Sequence, residues 1–136
     1  MPLPLLAIAA ALLYLAAAGL HLMHILQRKP RLSTSVIALG AIALVCHALV
    51  AWSSIFDEHS VHLGLYRILA LISFVINLAC ISWLVRWPLQ NLLIVLLPLS
   101  ASTVLISAFA PQTGTTPEAL GHGLLLHIAS SILAYA

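Results

Sequence analysis

The chain has 136 residues, 63% of them hydrophobic and only 6% charged, with five Lys/Arg, three Asp/Glu and a formal charge of +2. A soluble domain carries about 25% charged residues because its surface faces water, so this composition excludes a soluble globule and defines an integral membrane protein. The charge is too small and too scattered for nucleic-acid binding. Cys46 and Cys80 both lie inside apolar runs and imply neither a disulfide framework nor a CxxC metal site.

The expected fold is all-α: a polytopic transmembrane helix bundle of four complete spans and a truncated fifth, in a single membrane domain over residues 1–136. The first span covers about residues 2–26 and is closed by Gln27-Arg28-Lys29-Pro30-Arg31. No Lys or Arg precedes Arg28, so the segment lacks the basic start of a signal peptide and reads as an uncleaved helix. The second covers about residues 32–56 and ends at Asp57-Glu58; the third covers about 65–85 and ends at Arg86-Trp87-Pro88. The fourth covers about 89–110, with Pro98 inside it as an expected kink, and the polar stretch 111–118 follows. The fifth apolar run, 121–136, spans roughly 24 Å at about 1.5 Å per residue, short of a hydrocarbon core of about 30 Å. No basic residue, Gly or Pro follows Leu124 to stop it. The expectation is therefore the N-terminal part of a longer domain.

Arg28, Lys29, Arg31 and Arg86 fall on one side of this topology and Arg67 alone on the other. The positive-inside rule places the four in the cytoplasm. The N-terminus and the loops 57–64 and 111–121 then face outward, together with Asp57, Glu58, His59, His62, Glu118 and His122.

Seven histidines in so apolar a chain are its most informative feature, because an intramembrane ionisable group is costly and faces a bundle interior or cavity. His47 lies mid-span, roughly 13 Å below the outer end of the second helix, and His127 roughly 9 Å below that of the fifth. The two imidazoles can share a layer in the outer half of the bilayer. Haem iron held between helices requires such an arrangement, with axial imidazoles from opposite faces. Equally, His47 can be a neutral histidine hydrogen-bonded to a neighbouring helix, for example to Asn77. His21 and His24, at i and i+3, share a face near the cytoplasmic end and read as ordinary interfacial histidines. His59 and His62, beside Asp57 and Glu58, read as a solvated loop. His122 stands at the outer mouth of the fifth helix, as either a helix-start residue or part of an outer site. Arg67 can pair with a haem propionate or with Asp57 or Glu58 across the short loop. Trp52, Trp83 and Trp87 lie near span ends as an aromatic belt, and Asn77 reads as a buried amide bonding across helices. The chain contains no glycine-rich phosphate loop and no HExxH, and its acidic residues sit in loops. Little is present for a hydrolase or a carboxylate-driven pump to use.

Two segments carry a family resemblance. The run Gly123-Leu124-Leu125-Leu126-His127-Ile128-Ala129-Ser130-Ser131-Ile132-Leu133-Ala134-Tyr135-Ala136 resembles a helix of the cytochrome c assembly protein family (CcsA- and CcmC-related), whose pattern is an apolar run, His-Val or His-Ile, then Tyr-Ala seven or eight residues later. Ala43-Leu44-Val45-Cys46-His47-Ala48 resembles the second helix of its YpjD-like inner-membrane branch. The resemblance implies a multi-pass protein of the bacterial inner (plasma) membrane with an outward N-terminus. It implies haem handling in c-type cytochrome maturation, with non-covalent haem b, His127 as an outer axial ligand, and apocytochrome c and other assembly proteins as partners. No WWD segment, the tryptophan-rich stretch of the wider family, is present.

The function expected is thus a haem-binding assembly factor rather than a turnover enzyme, with His127, His47, Arg67 and His122 as the cofactor-binding residues and His127 and His47 as iron ligands. The alternatives are a cofactor-free transporter or permease-like subunit whose histidines bond between helices, and a fixed b-type electron-transfer protein.

Overall fold

The computed structural model describes residues 3–28, 33–57, 60–61, 64–84, 89–110, 126–127, 130–131 and 133–134. Four helices dominate: α1 (Leu3–Leu26), α2 (Thr34–Ile55), α3 (Leu65–Trp83) and α4 (Leu93–Phe109), the last preceded by a 3₁₀ turn over Leu89–Leu92. Each of α1, α2, α3 and the 3₁₀–α4 unit is long and apolar enough to cross a membrane. The fold is therefore an all-α membrane bundle, as composition demanded. Of the fifth span, the helical pieces 126–127, 130–131 and 133–134 are described, and the remainder lies outside the described residues.

Local chemistry accounts for the helix ends. Ser33 caps α2: its Oγ accepts the Ser35 amide at 3.3 Å, and its carbonyl accepts that of Val36 at 3.0 Å. Arg28 ends α1 at φ 55, in the left-handed region, with its amide on the Ile25 carbonyl at 2.9 Å. Ala110, directly before Pro111, is extended at ψ 139, because the proline ring disfavours helical backbone in the preceding residue. Helix α4 runs unbroken through Pro98, the expected kink position. Between α2 and α3 the expected loop closes as a minimal antiparallel hairpin, Phe56–Asp57 (β1) on Ser60–Val61 (β2). The pairing satisfies backbone groups where two antiparallel helices must be joined closely.

The helices pack in a ring, each against its chain neighbours, with α1 closing on α4. The buried faces repeat at three- and four-residue steps. In α1 the face is Ala7, Ala10, Ala11, Tyr14, Ala17, Ala18 and His21; in α4 it is Leu93, Leu97, Ser100, Ala101, Val104 and Ser107. This is a helix-packing seam, rich in small residues that let backbones approach. Large aliphatic and aromatic groups point the other way: Leu12 is 61% exposed, Val95 65% and Trp52 67%. A soluble bundle buries most of its large apolar side chains; here many of them face out, and alanine, serine, asparagine and histidine share the interior with a few larger groups such as Tyr14, Leu97 and Val104. That inversion is what an apolar solvent selects, since lipid is as hydrophobic as leucine. The outward serines Ser53, Ser82 and Ser102 donate to the carbonyls of Leu49, Leu78 and Pro98, so these three hydroxyls do not meet lipid unpaired.

Candidate functional site

His47 is fully buried on the inner face of α2. Its Nδ1 lies 3.2 Å from the hydroxyl of Tyr14 on α1. The Tyr14 ring meets it edge-on at 5.8 Å and 83°, and the Phe74 ring of α3 does so at 5.8 Å and 71°. The Ala70 backbone carbonyl of α3 also accepts a hydrogen bond from the imidazole. The interhelical side-chain partner of His47 is thus Tyr14, where sequence reasoning offered Asn77.

Asn77 does bond across helices, as expected, but to α4. Its Nδ2 donates to the Ser73 carbonyl at 2.8 Å and to the Ser100 hydroxyl. One turn earlier on α3, the Ser73 and Thr103 hydroxyls meet at 2.7 Å. Ser73, Asn77, Ser100 and Thr103 recur at helical spacing on facing stripes of α3 and α4, so side chains of one seam find partners on the other. Two polar pairings therefore hold the bundle: Tyr14 with His47 between α1 and α2, and the hydroxyl–amide seam between α3 and α4.

At the other end of α1, His21 is 2% exposed and donates from Nε2 to the Gln90 carbonyl at 2.7 Å. Sequence reasoning placed it at an interface as an ordinary residue. The structure makes it a buried tie between the end of α1 and the 3₁₀ turn that starts α4. His24 is half-buried on the same face.

His127 is exposed and belongs to a helical segment outside the four-helix core; its carbonyl accepts the hydroxyls of Ser130 at 2.9 Å and Ser131 at 2.7 Å. Among the described hydrogen bonds and ring contacts, none joins His127 to His47. Arg67 is half-buried in the first turn of α3, its amide on the Gly64 carbonyl at 3.0 Å. The side chains of Asp57 and Glu58, its expected partners, lie outside the described residues, as do His122, His59 and His62. Trp52 and Trp83 are exposed near the ends of α2 and α3, as the aromatic belt requires. Cys46 and Cys80 are free thiols. Among the described residues, no three His, Cys, Asp or Glu side chains gather as a metal site.

Tyr14 is a buried polar residue beside His47 that sequence reasoning passed over. The signal was present: a tyrosine belongs at a membrane interface, and this one sits mid-span among alanines that share its face. An amphipathic ring at that depth needs a polar partner on a neighbouring helix. No protein-family model, curated protein or solved structure matches the chain.

Proposed function

We propose that the chain is a multi-pass protein of the bacterial inner membrane, with its N-terminus outside, that binds haem b non-covalently at the outer face during c-type cytochrome assembly. The observation that carries this reading is the exposed imidazole of His127, held on a helical segment outside the four-helix core. Such a ring offers a nitrogen to an axial position, and the His-Ile and Tyr-Ala pattern around it supports that role. A neutral imidazole supplies the lone pair, and iron would provide the redox-active centre. Arg67 and His122 belong to the same outer layer in this reading, Arg67 as a guanidinium suited to a propionate. His47 would reach iron only if the Tyr14 or Phe74 ring moved.

The enclosure of His47 favours a second reading, a cofactor-free permease-like subunit in which histidines act as interhelical ties. A haem absorbance spectrum of the detergent-purified protein separates the two. Under the first reading, His127→Ala lowers haem content and c-type cytochrome yield, and added imidazole partly restores haem. His21→Ala is the stability control, because it removes a buried hydrogen bond at the opposite end of α1. Its haem loss, if any, is not rescued by imidazole. Unchanged haem content in well-expressed His127→Ala protein would remove His127 as the ligand, and purified protein without haem absorbance would favour the second reading.

A further inference from the structure

A crevice opens in the bundle wall between α2, α3 and α4, lined by apolar residues alone. Its walls include Ile37 and Gly40 of α2, Ile81 and Leu84 at the end of α3, and Leu93 and Leu97 of α4. It holds about 240 Å³, counting its open mouth. Two features keep it open. Gly40 has no side chain, and a Cβ there would meet Ile81 Cδ1 at 3.6 Å, so bare backbone forms part of the wall. Helices α2 and α3 also share the thinnest seam of the ring. The crevice starts where α2 begins, α3 ends and α4 begins, and it runs inward past Gly40, roughly 9 Å along the axis from Thr34.

Solvent and charge together select what fills it. Walls of this kind offer a water molecule no hydrogen bond, so water does not settle there. Left empty, they forfeit dispersion contacts. The helices are long and apolar enough to cross a membrane, so acyl chains are the medium at the mouth, where Ile37 is 42% exposed. The charge at this end of the bundle has one sign. Arg28 is exposed at the end of α1, and the connections after α1 and α3 carry Lys29, Arg31 and Arg86 in the sequence. Asp57, Glu58 and Glu118, the three acidic residues of the chain, all belong to connections at the opposite end. Trp83, exposed two residues from Ile81, adds an amphipathic ring of the kind that sits at headgroup level.

We propose that an anionic diacyl phospholipid binds here, one acyl chain lying in the crevice and its phosphate held at the positively charged end of the bundle. The apolar walls supply contact area and the charge supplies selectivity. A zwitterionic lipid with the same chains fits the crevice equally, but it brings no net charge for that end to attract. Basic surfaces between transmembrane helices recognise anionic headgroups in this way. The lipid chain then completes the thin seam between α2 and α3. The inference is independent of any haem at His127.

The test uses the intact chain in phosphatidylcholine nanodiscs doped with phosphatidylglycerol that bears a photoactivatable diazirine on one acyl chain. Mass spectrometry maps the cross-linked residues, with diazirine phosphatidylcholine of the same chains as reference. Labelling by phosphatidylglycerol should concentrate on residues 36–40 and 81–84 and exceed that by phosphatidylcholine several-fold. Ile37→Trp covers the mouth from an exposed position, and it should lower the labelling several-fold without lowering the melting temperature. Arg28→Gln should reduce the excess of phosphatidylglycerol over phosphatidylcholine and leave labelling by the latter unchanged. Even labelling over the outward faces would mean annular lipid only, and an unlabelled crevice would mean that a second copy covers it. Either result, equal labelling by the two lipids, full labelling in Ile37→Trp, or an excess unmoved by Arg28→Gln would overturn the proposal.

Discussion

The hydroxyl of Tyr14 and the hydroxyl of Ser82 show how differently one polar atom counts according to what surrounds it. Ser82 faces outward and bonds the Leu78 carbonyl of its own helix, so it contributes nothing between helices. Tyr14 is enclosed and ties α1 to His47 on α2. Tyr14→Phe removes that tie and leaves Nδ1 without a donor, and it should destabilise the bundle by about 1 kcal/mol. Ser82→Ala should leave stability unchanged within about 0.5 kcal/mol. Chemical unfolding in detergent micelles measures both, and equal losses in the two variants would contradict the assignment of the tie. Arg28 gives a second residue-scale test. Its left-handed backbone at φ 55 strains any residue with a Cβ, by about 1–2 kcal/mol. Arg28→Gly should therefore stabilise the end of α1 by up to about 1 kcal/mol, read as a higher melting temperature of the reconstituted protein.

At the scale of the helix, the two faces of α1 obey opposite rules. Ala7, Ala10 and Ala17 are fully buried against α2 and α4, whereas Leu12 and Leu5 point outward. Enlarging the first set pushes helices apart, so Ala10→Leu should cost about 1–3 kcal/mol through overpacking. Leu12→Ala should be nearly neutral, because lipid replaces the lost side chain. This pair of variants tests which face of α1 is packed against its neighbours. Gly40 on α2 marks a milder limit. A Cβ there would meet Ile81 Cδ1 of α3 at 3.6 Å, an ordinary van der Waals contact. Gly40→Ala should be tolerated or slightly stabilising, by about 0.5 kcal/mol, since it removes backbone freedom from the unfolded chain. Thermal melting of the reconstituted protein checks the three variants together.

For the whole molecule, the consequence to test is sidedness. Reporters fused after residue 30 should read cytoplasmic, and those fused after residue 60 external, following the basic cluster Arg28-Lys29-Pro30-Arg31. The reverse pattern would place the exposed His127 on the cytoplasmic side and remove the outer-face haem reading. Within the ring of helices, α1 packs on both α2 and α4, so it is the element whose loss opens the bundle.

How much of this was legible beforehand follows from the range of the forces involved. Spans are a matter of local composition: about 20 apolar residues without charge must be helical in lipid, whatever surrounds them. Hence the four expected spans match α1 to α4 within a few residues at each end, and the belt positions of Trp52 and Trp83 could be read directly. Partner choice was not legible in this way. Whether His47 meets Asn77, Tyr14 or iron depends on how α1, α2 and α3 are rotated and packed, and rotation is set by the sum of many weak contacts along whole helices. The same reason hid the burial of His21, whose acceptor, the Gln90 carbonyl, is a backbone atom with no residue-type signature. The amino-acid sequence by itself determined the solvent and the spans, because each rests on local chemistry. Only the tertiary structure decided which buried polar groups meet, because in an apolar medium such groups must find one another across helices far apart in the chain.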